Sequence, residues 1–149
     1  MNIVNVNKAI AVMERVKERG DYLNMRDWQF LEDSEAPAME TEGDLHKCGT
    51  AACFAGWVAV SPEFQVDRGS VCVGGAPCLP MREEGYYVSG EAAIRFWLGI
   101  DEDAAEHLCA MSDVANFYGK EVKDITVDDV LSKLYRLRDT GSVYAGGAQ

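Results

Sequence analysis

Residues 51–60 read AACFAGWVAV and carry no charge, in a chain of 149 residues of which 26% are charged. The stretch follows the cluster His46-Lys47-Cys48-Gly49-Thr50 and runs up to Pro62. A threonine hydroxyl accepts a first-turn N–H at a helix N-cap, and a proline pushes the residue before it away from helical angles. The spacing therefore predicts a short helix that starts at the Thr50 junction and stops before Pro62. Ala52, Ala55, Gly56 and Ala59 recur at helical spacing as a small-residue face, while Cys53, Trp57 and Val60 make a bulky one. A helix that is apolar all round is buried on all sides, and this one is too short to cross a bilayer. The fold expected is mainly α: a compact helical domain around a short buried central helix, with a small β-ribbon insertion.

Working outward, residues 7–19 have the pattern of an amphipathic helix, with Ile10, Met13 and Val16 inward, Val6 and Ala9 in support, and Gly20 to end it. Residues 22–30 (YLNMRDWQF) read as an extended segment that pins Met25 and Trp28 into the core. Residues 91–98 form the next helix, closed by Gly99. Asp101 caps a further helix that buries Ala104, Ala105, Leu108 and Met111, with Glu102 and Asp103 at the positive end of its dipole. The helix at residues 126–139 has the plainest signature, because Thr126 and Asp129 form a capping box in its shorter acidic form. Val127, Val130, Leu131, Leu134 and Leu137 then follow the helical period up to Gly141. Val71-Cys72-Val73 and Tyr86-Tyr87-Val88 are β-prone and bounded by turn residues. They suggest an antiparallel ribbon whose connection is the Gly/Pro-rich part between them. Residues 1–141 are expected to be one domain, and residues 142–149 a frayed tail.

The formal net charge is −11, which opposes direct contact with nucleic-acid phosphate or anionic lipid. The start of the chain lacks the basic, apolar, small order of a signal peptide, and no segment is long enough to span a membrane. A cytoplasmic protein is expected, with its five cysteines reduced. Residues 32–44 gather Glu32, Asp33, Glu35, Glu40, Glu42 and Asp44 without a basic residue. They read as a solvated acidic loop and as a candidate surface for a partner protein.

Three kinds of chemistry are weighed at the helix start. His46, Cys48 and Cys53, with Cys72 or Cys78, offer zinc-type ligands, but no CxxC pair exists and the spacings are wide. The expectation is no metal and no cofactor. Cys48 and Cys53 lie where a helix dipole favours a thiolate, with His46 nearby and His107 beside Cys109 as another histidine. Backbone donors at His46, Cys48, Gly49, Thr50 and Cys53 could also hold a small nucleotide-like ligand. Capping by Thr50, turning at Gly49 and close packing at Gly56 account for the same residues without a ligand. Tyr86, Tyr87, Phe117 and Tyr118 fall in less regular segments, where they line a groove or cover the core edge.

Met25, Trp28 and the run from His46 to Trp57 resemble a group of small bacteriophage and bacterial proteins with a Cys-Gly-Thr-x-x-Cys-x-Ala-Gly core. In that group a Met-x-x-Trp segment precedes the core. A helix ending as at Leu98-Gly99-Ile100 follows it, and a last helix starts near a threonine such as Thr126. The resemblance implies a mostly helical domain and a phage-like origin, and it brings no shared activity. The function expected is therefore a small acidic, non-enzymatic interaction protein that interferes with a host protein in the bacterial cell. The alternative is a nucleotide-like ligand held near Thr50, and a cysteine-dependent enzyme comes third.

Overall fold

Helix α1 (Ile3–Arg19) crosses the domain and buries Val6, Ala9, Ile10, Val12, Met13 and Val16. A computed structural model of the chain describes residues 1–29, 37–47, 49, 51–81, 85–109 and 118–144. The helix begins earlier than its apolar period suggests, because Asn2 caps it by accepting the Asn5 N–H at 3.1 Å. In that first turn the polarity is inverted. Ile3 and Val4 are exposed, and Asn5 is buried with its amide donating to the Trp97 carbonyl at 2.8 Å. Gly20 closes the helix in the left-handed conformation, as expected.

Helix α2 (Glu42–Lys47) occupies the end of the stretch read as an acidic loop. Thr41 Oγ1 accepts the Asp44 N–H at 3.1 Å, and Leu45 anchors the helix in the core. A single buried leucine in six residues gives no visible period, so this helix has no sequence signature.

The central helix is α3 (Phe54–Val60), and every one of its residues is buried. Its start corrects the expected one. Cys53 is the N-cap, its sulfur accepting the Gly56 N–H at 3.4 Å, while Thr50 lies outside the described residues. Ala51 and Ala52 are extended, and Ala52 pairs in parallel with Leu23. The segment from Tyr22 to Trp28 laces over this junction. Tyr22 O accepts from Ala52 N (3.3 Å) and Trp57 Nε1 (3.0 Å), Ala52 O accepts from Asn24 N (3.0 Å), and Asp27 O accepts from Cys53 N (2.9 Å). Backbone groups that a helix start leaves open are thus met by a neighbouring strap. Met25 enters the core from that strap, and Trp28 packs against it.

Ser61 joins α3 to α4 (Pro62–Gln65), donating through Oγ to Val58 O at 2.7 Å and accepting the Phe64 N–H at 3.2 Å. Pro62 both marks the end of α3 and takes the first position of α4, where its missing N–H costs nothing.

The insertion is a three-stranded antiparallel sheet in the order β1 (Ser70–Val71), β2 (Pro77–Met81), β3 (Tyr86–Ser89). The stretch expected to be the connection is its middle strand. Pro77 opens β2, and β1, paired only at Cys78 and Pro77, ends before reaching Pro80. Both prolines therefore avoid positions where a ladder N–H is needed on two sides.

Helix α5 (Glu91–Leu98) has the expected bounds and Gly99 at its end. Helix α6 (Glu102–Cys109) starts with Asp101 Oδ1 accepting the Ala104 N–H at 2.8 Å; Met111 lies outside the described residues. Helix α7 (Val127–Thr140) carries the complete Thr126–Asp129 capping box and packs along α1. Val143 is fully buried and its carbonyl accepts from Arg136 at 3.1 Å, so the packed chain continues past Gly141 to Tyr144. The architecture is thus mainly helical with a small antiparallel sheet. No helix among the described residues is long and apolar enough to cross a membrane.

Candidate functional site

Of the residues singled out at the helix start, His46, Gly49 and Cys53 are described, and they differ in burial. His46 sits on the surface at the end of α2, its Nδ1 2.5 Å from Asp21 Oδ1. Gly49 is exposed at φ +67°, as a tight turn requires. Cys53 is fully buried, and burial pushes its thiol up to about 12, which keeps it protonated. Cys109 is buried and raised by the same cause. Cys48 and Thr50 lie outside the described residues. Among the described residues no three His, Cys, Asp or Glu side chains gather as a metal ion needs.

The acidic stretch divides. Glu32, Asp33 and Glu35 lie outside the described residues, while Glu40 and Asp44 are exposed. Glu42 is engaged inside the molecule. It accepts from Arg15 Nε and Nη2 and from Arg19 Nη2, each at 3.2 Å. Arg15 also forms a two-pronged pair with Glu63 at 2.5 and 2.6 Å, and Arg19 Nε reaches Asp21 at 2.6 Å. This network ties α1 to α2 and α4, which makes Glu42 a structural residue.

Two surface grooves differ in what their polar groups already do. One, of about 610 Å³, lies between α1 and α7. Its one lining cation among the described residues, Lys17, is already paired with Asp128 at 2.7 Å, and Tyr135 Oη donates to Glu14 at 2.8 Å. The other, of about 310 Å³, lies between α6, α7 and the C-terminal segment, and is lined by His107, Tyr118, Asp129, Ser132, Lys133, Arg136 and Tyr144.

Here Lys133 and Arg136 stand one helical turn apart, and neither forms an ion pair among the described residues. Asp129 is the acid one turn before Lys133, where a pairing would be expected. Both its oxygens are directed instead to Lys120 Nζ, at 3.0 and 2.9 Å, and to the Thr126 cap. Lys133 Nζ lies over the Tyr118 ring, 4.7 Å from its centroid. Burial and then the neighbouring Arg136 charge lower the Lys133 pKa. Burial and then Lys133 likewise lower that of His107. The Tyr118 hydroxyl is buried without a hydrogen-bond partner among the described residues, a state that costs about 1–3 kcal/mol when nothing satisfies it. Tyr144 meets His107 edge-on, with ring centroids 4.5 Å apart.

The arrangement concentrates positive charge, a buried hydroxyl and two tyrosine rings in one pocket of a strongly acidic chain. Sequence reasoning placed Tyr118 in a possible groove but missed the cations, which look like the ordinary polar face of α7. The available signal was a lysine and an arginine three apart, with the acid four residues before the lysine committed to a capping box. No family model, curated protein or solved structure matches the chain.

Proposed function

We propose that the protein is a non-enzymatic binding protein whose pocket between α6 and α7 takes a small anion bearing a flat ring, of the phosphate-monoester type found in nucleotides. The observation that carries this reading is the juxtaposition of Lys133 and Arg136, neither in an ion pair among the described residues, with the Asp129 carboxylate of the same pocket turned to Lys120 and the Thr126 cap. Two half-buried cations raise each other's energy, and a phosphate dianion between them removes that cost. The arginine fork suits two phosphate oxygens, and lysine adds a point charge. The Tyr118 hydroxyl supplies a further donor, and the Tyr144 ring an apolar surface for a flat group. The size is that of a small-molecule site. The ligand class is the one considered from sequence, and the place proposed for it is the pocket between α6 and α7 in place of the Thr50 junction.

Calorimetric titration with adenosine 5′-monophosphate, ribose 5-phosphate and inorganic phosphate tests the reading. Binding is expected in that order of strength, and Lys133→Met and Arg136→Met should each weaken it while remaining folded. Wild-type protein that shows no heat and no rise in Tm with any of the three overturns it, because a ligand selective for the folded state must stabilise it.

A second reading is the interaction protein that engages a host protein inside the bacterial cell. It is favoured by a shallow surface lined by Val66, Leu79, Pro80 and Phe96, where Val66 is 73% and Phe96 45% exposed. Glu40 and Asp44 remain available to such a partner, and the phage-like origin rests on the Cys-Gly-Thr core. Val66→Asp and Phe96→Asp should abolish capture of a host protein in this reading, while Lys133→Met should not.

A further inference from the structure

Cys72 and Cys78 stand on either side of a 3-10 turn, Val73–Gly75, that joins β1 to β2. The ladder sets Ser70 opposite Cys78 and Val71 opposite Pro77. Side chains alternate along a strand, so Cys72 continues the face of Ser70 and lies diagonally across from Cys78. The turn holds the two in place through Cys72 N donating to Ala76 O at 2.7 Å and Gly75 N donating to Cys72 O at 3.0 Å. The ribbon therefore places the two thiols near enough for each to act on the other's proton. Both residues are half-exposed, whereas Cys53 and Cys109 are buried. Gly74 takes φ +80° in this turn, a conformation that favours glycine.

We propose that Cys72 and Cys78 form a redox-active dithiol, a site of reversible disulfide formation by exchange with low-molecular-weight disulfides. Burial first, and then the neighbouring Cys78, push the Cys72 thiol up to about 11, and we assign Cys72 as the resolving thiol and Cys78 as the attacking one. The Cys78 thiolate displaces one thiolate from the small disulfide and leaves a mixed disulfide on Cys78. Cys72 then passes its proton to the released thiolate and attacks Cys78 Sγ. The second small thiolate departs and takes up the proton that Cys78 gave to water. The protein dithiol loses two electrons and two protons, and the small disulfide gains both as two thiols.

The test incubates the native full-length chain with oxidised glutathione, blocks free thiols and maps the peptides by mass. The expected product links Cys72 to Cys78, carries no glutathione on either, leaves Cys53 and Cys109 free, and reverts with dithiothreitol. Cys72→Ser, checked for folding by circular dichroism, should trap glutathione on Cys78. The inference is overturned if both thiols stay free, if glutathione persists on either in the wild-type chain, or if either links instead to Cys48.

Discussion

The carbonyl oxygen of Trp28 lies where a side chain on Gly56 would begin. A Cβ placed on Gly56 would meet that oxygen at 1.7 Å and its carbon at 2.7 Å. Gly56 was expected to admit a neighbouring helix. It admits the backbone of the strap that crosses the start of α3. Since backbone cannot swing aside as a side chain does, Gly56→Ala should cost about 1–3 kcal/mol or more. That corresponds to a Tm loss of roughly 2–4 °C per kcal/mol for a domain of this size. Gly43→Ala is the control, because nothing lies within 4 Å of its Cβ position and it sits in helix α2. Equal melting of both variants would remove the argument.

Gln29 closes the segment that follows the strap. Its amide donates to Met39 O and accepts from Met39 N, both at 2.8 Å, as a strand neighbour would. Gln29 is also among the few buried polar side chains. Gln29→Met keeps the volume and deletes both bonds. The expected cost is about 1–3 kcal/mol, the penalty for leaving buried backbone groups unpaired. Limited proteolysis between residues 29 and 39 should accelerate in the variant, and an unchanged digestion rate together with unchanged melting would show that the clamp is idle.

These two contacts mark where the sequence stops being legible. The ends of α5 and α7 could be read because each is set by local groups: Gly99 after Leu98, and the Thr126–Asp129 box. The start of α3 could not, because the acceptor for Cys53 N is Asp27 O, far back in the chain. Thr50 was the better cap by residue type, yet the cap formed where the strap permits it. Strand β2 was read as a connection because Pro77 and Pro80 argue against a strand, and only the shortness of β1 makes them harmless. The pocket was hidden for a related reason. Lys133 and Arg136 are ordinary surface residues by pattern, and that Lys133 forms no ion pair among the described residues depends on where Asp129 points.

Acid should weaken the protein through Glu63 and Asp67. Burial is the largest single influence on Glu63 and opposes its ionisation, but the Arg15 hydrogen bonds, a backbone hydrogen bond and the Arg15 and Lys8 charges together hold the carboxyl below its usual 4.5. Asp67 is treated alike: burial is overcome by hydrogen bonds from Lys8 and Trp97, and it falls below 3.8. A carboxyl with a lowered folded pKa contributes stability that is fully present above its unfolded value and lost as pH falls through its folded value. Stability from these groups should therefore hold from pH 7 to about 5 and decline below that. Glu63→Gln should be less stable than wild type at neutral pH, with the gap closing in acid. A gap that stays constant down to acid unfolding would show that the Arg15 pair carries no linkage.

The pocket makes a prediction at the other end of the scale. His107 lies below its usual 6.5 because it is buried and faces the Lys133 charge. An anion between Lys133 and Arg136 cancels part of that repulsion and favours the protonated ring. Binding must then raise the His107 pKa, and by linkage the affinity must rise as pH falls through that range. Sulfate is the useful probe, since its charge is constant there while a phosphate monoester gains a proton near pH 6. An NMR titration should move His107 upward in sulfate, compared with sodium chloride at the same ionic strength. In Lys133→Met the unliganded His107 should already titrate higher, and sulfate should move it less. If chloride shifts His107 as much as sulfate does, the effect is ionic strength, and if sulfate does not shift it in wild type the cations do not form an anion site.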